Sequence, residues 1–169
     1  MKTFIELAKD RYSVRKYSDK KVEPEKLAQI LEAARIAPTA CNNQPQRIKV
    51  ISAPEDLAKI DECTKCRFDA PMVLLICYDK AMVWKRKFDG ADSGEVDASI
   101  ITTHLMMEAE ELGLGTCWVM HFDPAKVTEL FALPDNIVPV AMLPMGYPAA
   151  DVEPNSLHET RLSIEDLLI

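Results

Sequence analysis

Apolar positions follow two different periods along this chain, and the switches between them outline its elements. Between Pro24 and Pro38, Leu27, Ile30, Leu31 and Ala34 recur at helical spacing, with Pro24 suited to a first helical position and Pro38 as the stop. Val96 to Leu112 repeats that period at Ala98, Ile101, Leu105, Ala109 and Leu112, which predicts a long core helix capped by Gly113. Arg47 to Ser52, Thr116 to Met120 and Ile137 to Met145 read as strands. The run Pro71 to Tyr78 has an unbroken Met-Val-Leu-Leu-Ile at its centre, the pattern of a strand buried on both faces.

The polar positions supply the punctuation. Thr3 and Glu6 form a capping box for a short helix through about Lys9, and Arg11 to Tyr17, alternating and partly β-branched, reads as extended. Thr39 to Gln46 is a loop, Pro54 to Ile60 a short helix, and Asp79 to Gly94 an exposed charged stretch. Asp123 followed by Pro124 starts another helix, and Ser163 caps a last short apolar one after the polar tail from Tyr147 to Thr160.

Length and composition then narrow the function. At 169 residues, 48% hydrophobic and 28% charged, one domain with a proper core is expected. The longest apolar stretch, Ala70 to Tyr78, is far short of the roughly 20 residues a membrane span requires. Glu6 and Asp10 interrupt the N-terminal apolar residues, so no signal peptide and a cytoplasmic location are expected. A net charge of −7 argues against nucleic acid as the main partner but leaves a small anion open. The five cysteines are odd in number and irregularly spaced, so reduced thiols are expected.

Charge is not evenly spread. Residues 9 to 21 hold six cations against two carboxylates, a surplus of four that leaves the remaining chain at −11. In an extended segment Arg11, Ser13 and Arg15 project to one side, two guanidinium forks around a hydroxyl, which suits a phosphate. Three charge-assisted bonds at about 1.5 to 3 kcal/mol each supply much of the about 8 kcal/mol that micromolar affinity needs. A solvated basic edge strand has the same spacing. There is no Walker-type loop, and Gly113-Leu114-Gly115 follows a helix and has Trp118 where a dinucleotide fingerprint needs its third glycine. The loop Pro38-Thr39-Ala40-Cys41-Asn42-Asn43-Gln44-Pro45 offers three amides and a hydroxyl with little bulk, a wall for a heteroaromatic edge or simply a connecting loop.

Taken in order, Arg11-Tyr12-Ser13-Val14-Arg15-Lys16-Tyr17, Ala37 to Pro45, Asp69-Ala70-Pro71, Gly113-Leu114-Gly115-Thr116-Cys117-Trp118, Met145-Gly146-Tyr147-Pro148 and His158-Glu159-Thr160-Arg161 resemble the flavin-dependent nitroreductase family over nearly the whole chain. The resemblance implies an α+β fold: a mostly antiparallel central sheet of four to five strands flanked by helices, in an intertwined homodimer. Residues 1–169 would form one FMN-binding domain. Arg11 and Ser13 would hold the cofactor phosphate with Tyr12 between them, and Arg15 would reach the ribityl chain or the pyrimidine edge. Arg161, with His158 beside it, would close the phosphate site. Pro38, Thr39, Ala40 and Asn42 would come from the other subunit to line the ring, with Gln44 near it. Backbone groups near Trp118 and Val119 would face its remaining side. The activity implied is transfer of electrons from NAD(P)H to a small electron-poor acceptor, a nitroaromatic, quinone or related compound, by a ping-pong mechanism. No side chain need act as acid or base, and no metal is implied. Gln46 and Arg47 stand where many relatives carry an aromatic, and the chain has little room for an inserted helical lid.

Two other readings stay open on the residues alone. One is a flavin-binding protein that stores, senses or remodels flavin without rapid turnover. The other, a thiol or zinc module, rests on Cys63-Thr64-Lys65-Cys66, which has no second Cys/His pair at ligand spacing. His104 reads as structural, and His121 as a weak pocket candidate.

Overall fold

A computed structural model describes residues 2–169. The capping box is formed as the sequence predicts: Thr3 Oγ1 accepts from Glu6 N–H and the Glu6 carboxylate accepts from Thr3 N–H at 2.7 Å, starting α1 (Phe4–Asp10). There follow α2 (Pro24–Ile36), β1 (Gln46–Ile51), α3 (Pro54–Cys63), β2 (Met72–Asp79), α4 (Gly94–Glu111), β3 (Gly115–Thr116), α5 (Pro124–Leu130) and β4 (Ile137–Gly146). Three short 3₁₀ turns, Ala40–Asn42, Ser156–Glu159 and Glu165–Leu167, complete the order.

The sheet runs β1-β2-β4-β3 with every pairing antiparallel. β2 is central, and its apolar run is explained by covering on both sides. Met72, Leu74 and Ile76 face α2 and α4 with Ile30, Ile101 and Leu105, whereas Val73, Leu75 and Cys77 face α3 and α5 with Ile60 and Val127. Each such fully buried aliphatic side chain contributes about 1.5 to 3 kcal/mol, so β2 anchors both halves of the core. The register slips between Ile76 and Cys77, where β4 passes through Pro139, a residue that cannot donate to the ladder.

Two sequence expectations are corrected. The strand expected over Thr116 to Met120 is only two residues long, followed by an isolated bridge from Val119 to Met142. Ser163 does accept from Asp166 N–H, but the helix after it is a three-residue 3₁₀ turn whose apolar residues stay exposed. At Gly113 the backbone takes φ +76°, the left-handed conformation a helix C-cap needs, and the chain turns directly into β3.

Candidate cofactor site

The basic segment is held straight by the edge of the sheet. Ser13 bridges Thr116 in parallel, with Val14 N–H donating to the Thr116 carbonyl at 2.9 Å. Further on, Ser18 N–H donates to the Tyr147 carbonyl and Tyr17 bridges Pro148. Val14 is the inward residue of the alternation, 0% exposed, and Gly115 is the only residue type its packing allows: an added Cβ would sit 2.4 Å from Val14 Cγ2. Tyr17 locks the other end, its hydroxyl within reach of the Val14 and Pro144 carbonyls at 2.9 and 3.1 Å. Burial pushes that phenol's pKa up, so it stays a neutral donor.

With Val14 turned in, Arg11, Ser13 and Arg15 turn out together into a cleft of about 280 Å³. Its opposite wall is the C-terminal tail, carrying His158 and Arg161. The tail is tied back by His158, whose Nε2 donates to the Lys9 carbonyl at 3.0 Å and whose ring meets Tyr12 edge-on at 6.2 Å. A carbonyl can only accept, so Nε2 carries the proton. Lys16 and Asp151 pair across the same junction. Glu159, next in sequence, comes within 3.8 Å of His158 Nε2 but is 92% exposed and does not line the cleft.

Among the described residues no carboxylate pairs with Arg11, Arg15 or Arg161. Arg15 donates only to the Ser13 carbonyl at 3.3 Å, and Arg161 only to the carbonyls of Leu157 and Thr160. Behind them, burial raises the Glu110 carboxyl and the Cys117 thiol; nearby arginine charge pulls the other way in both, from Arg11 on Glu110 and Arg15 on Cys117. The Trp118 indole N–H is buried with no acceptor. Three guanidinium groups lacking counter-charges around one hydroxyl fit an anionic ligand.

The structure thus brings together Arg11, Tyr12, Ser13, Arg15, His158 and Arg161, as the sequence suggested. It does not bring Pro38, Thr39, Ala40, Asn42 or Gln44 into that cleft within one chain, nor Trp118 and Val119 into its lining. The amide loop is nonetheless an unusual piece of backbone: Cys41, Asn42 and Gln44 all have φ between +51° and +54°. Such strain persists only where surroundings enforce it and gathers at ligand sites. Here Thr39 Oγ1 accepts from Gln44 N–H at 3.1 Å, and Ala40 N–H donates to a buried carboxylate on α4. Sequence reasoning missed Asn155 and Leu157, which line the cleft. An Asn-Ser turn signal was available, since Asn155 caps the following turn by accepting from Leu157 N–H at 2.9 Å.

The cysteine pair and the remaining histidines lie elsewhere. Cys63 is buried at the end of α3 with its thiol donating to the Lys59 carbonyl, and among the described residues no group of three or more His, Cys, Asp or Glu could hold a metal ion. His121 is exposed beside Cys63 and Lys65 in a different cleft, and His104 Nδ1 contacts the Ile100 carbonyl along its own helix. No helix among the described residues is long and apolar enough to cross a membrane.

Fold and cleft together define an α+β protein with a cationic cleft between a sheet-edge segment and its own C-terminal tail. The chain belongs to the nitroreductase family, whose model matches residues 8–71 and 65–147. That span ends before His158 and Arg161, so their place in the site rests on the cleft geometry. The chain is similar to the crystal structure of a nitroreductase family protein from Clostridium difficile 630, at 44% identity and a TM-score of 0.93, covering 99% of this chain and 98% of that one. An FMN-dependent nitroreductase from Clostridium difficile R20291 is 28% identical with a TM-score of 0.77, over 94% of this chain and 98% of that one. The FMN reductase [NAD(P)H] of Bacillus subtilis is 32% identical over 88% of this chain and 67% of its own length.

Proposed function

We propose that this chain is an NAD(P)H-dependent FMN oxidoreductase that passes electrons to an electron-poor acceptor, a nitroaromatic, quinone or related compound, as a homodimer. The gathering of Arg11, Arg15 and Arg161, without carboxylate partners among the described residues, in one cleft with Ser13 carries this reading. Arg11, Ser13 and Arg161 would hold the phosphate, with His158 keeping the tail in place. When bound, FMN supplies the two-electron chemistry, taking hydride from reduced nicotinamide and delivering electrons to the acceptor. Arg15 would offer fixed positive charge to the reduced flavin, and being set before the reaction it would cost no reorganisation. Donor and acceptor would occupy the same site in turn, which would give ping-pong kinetics.

The dimer is supported by what one chain leaves bare. A cleft of about 280 Å³ lies just below the roughly 300 to 1,000 Å³ of complete ligand pockets, so a tricyclic ring needs further walls. Leu157, Leu162, Ile164, Leu167 and Leu168 on the tail are each at least 68% exposed, as are α1's Phe4 and, nearly so, α2's Ile36. A second copy would cover these and bring its Pro38 to Gln44 loop against the ring.

The test is anaerobic mixing of the flavin-loaded protein with NADH or NADPH, then with a nitroarene or quinone. Bleaching of the flavin band by the donor, recovery with the acceptor and parallel double-reciprocal plots are expected. Bound flavin that stays oxidised with both donors contradicts an oxidoreductase and leaves a flavin carrier.

A further inference from the structure

Asp97 is 1% exposed near the start of α4, and nothing in the cofactor cleft uses it. Its carboxylate joins two separate segments. One oxygen accepts from Ala40 N–H at 2.9 Å, in the amide loop, and the other accepts from the Ser93 hydroxyl at 2.7 Å. Ser93 in turn clasps Trp84: its N–H donates to the Trp84 carbonyl at 3.0 Å and its Oγ accepts from Trp84 N–H at 3.2 Å.

A second tie lies at the other end of the amide loop. Arg47 donates to the Gln44 carbonyl at 3.2 Å, to Met82 Sδ at 2.8 Å and to the Asp79 carboxylate at 3.4 Å. Asp79 N–H donates to the Pro45 carbonyl at 2.8 Å. The amide loop is therefore fixed at both ends to the segment 80–93.

That segment is a formed turn with an unusual surface. Arg86 N–H donates to the Ala91 carbonyl and Arg86 is clamped by Asp89 through two bonds of 2.7 Å. Trp84 is 38% exposed and Phe88 96% exposed. In a chain of net charge −7, residues 80–93 carry four cations against two carboxylates, and Lys80, Lys85 and Lys87 have no ion pair among the described residues. Aromatic faces beside unpaired ammonium groups recognise planar, anionic rings.

We propose that Asp97 is a positioning residue that holds the amide loop and the Trp84 segment as one piece, making residues 80–93 the outer lip of the acceptor site and selecting planar aromatic acceptors that carry a carboxylate. This rests on the preceding reading for the chemistry and for the place of the amide loop against the ring, but the binding it describes is measurable without turnover. One of the two tryptophans, Trp84, is on the lip, so nitrobenzoate binding to the FMN-loaded protein is followed by quenching of tryptophan emission.

In Trp84→Ala and Ser93→Ala, nitrobenzoate binds and shows a KM weaker by about two- to tenfold, the range of an aromatic contact, while flavin is retained. In Trp84→Ala binding is read from the flavin band, because the reporting indole is gone. Lys85→Gln with Lys87→Gln removes the preference for nitrobenzoate over neutral nitrobenzene. Asp97→Ala weakens both the acceptor and the flavin and shifts the flavin band, and Asp97→Asn restores flavin binding, since its amide oxygen still accepts from Ala40 N–H. Unchanged nitrobenzoate binding in Trp84→Ala and Ser93→Ala overturns the proposal, whether or not Asp97→Ala folds. So does an equal affinity of the wild-type protein for nitrobenzoate and nitrobenzene. Wild-type protein that binds nitrobenzoate on this lip but is not reduced by NAD(P)H leaves the proposal standing and refutes the oxidoreductase reading instead.

Discussion

Replacing Gly115 with alanine tests how the sheet edge sets the basic segment. The added methyl would lie 2.4 Å from Val14 Cγ2 and 2.8 Å from Val14 Cβ, far inside contact distance, and turning the fully buried Val14 side chain about χ1 leaves the Cβ contact in place. Overpacking of this kind costs about 1 to 3 kcal/mol. For a chain of this size that lowers Tm by about 2 to 4 °C per kcal/mol, or about 2 to 12 °C in total. Relief must come by moving Val14 away from Thr116, and Ser13 and Arg15 move with it. FMN affinity should therefore fall together with stability. Thermal unfolding is measured without flavin, because a ligand that binds only the native state raises Tm by itself. Val14→Ala alone removes two buried methyl groups at about 0.8 kcal/mol each. In the double variant the contacts with the two Val14 methyl groups are gone and only the Cβ contact at 2.8 Å remains, so the two losses should not add and FMN affinity should recover in part. Gly115→Ala with wild-type Tm and FMN affinity, or strictly additive losses in the double variant, would refute the close contact between segment and sheet.

Three further outcomes follow from the geometry. Arg161→Ala removes one charge-assisted contact worth about 1.5 to 3 kcal/mol, so FMN should dissociate about 10- to 150-fold more readily by fluorescence titration; an unchanged constant removes the tail from the site. The Tyr147 hydroxyl donates to Glu23 at 2.7 Å and, with the Glu23 backbone and Lys20, lowers that carboxyl from 4.5 to about 2. A depressed carboxylate stabilises the fold above its unfolded pKa and loses that contribution as pH falls through its folded pKa. The stability gap between wild type and Tyr147→Phe should therefore hold at neutral pH and close between about 4.5 and about 2, checked by urea unfolding against pH and by NMR titration of Glu23. Burial in β2 pushes the Cys77 thiol up to about 12, so mass spectrometry should find it unalkylated by iodoacetamide in the native protein, and rapid labelling would show that β2 is not central.

How much of this was legible in the residues depends on whether the cause was local. The helix beginning at Thr3, the C-cap at Gly113 and the N-cap at Asp123 are local chemistry, and each stands where the sequence put it. The apolar run through Leu74 and Leu75 announced a central strand because no other placement buries both faces. The strand after Gly115 was overestimated because Pro144 stands opposite Cys117, accepting from its N–H but having no N–H to return, a pairing that only the fold sets. In the site, alternation around Val14 sufficed to put Arg11, Ser13 and Arg15 on one side. His158 and Arg161, some 150 residues away, could be joined to them only through the family resemblance, since no spacing rule brings a tail across a sheet edge. The ties of Asp97 and Arg47 were invisible for the same reason: one is a helix residue and the other a strand residue until the fold sets them against the amide loop.

The central claim is that the cationic cleft grips the phosphate of a flavin. Equilibrium titration of the flavin-free protein with FMN and with riboflavin, which differ in that phosphate alone, measures it directly. With three charge-assisted contacts at stake, FMN should bind at least about 100-fold more tightly than riboflavin, and added salt should narrow the ratio. Equal affinity for the two flavins, or no uptake of either, would contradict it.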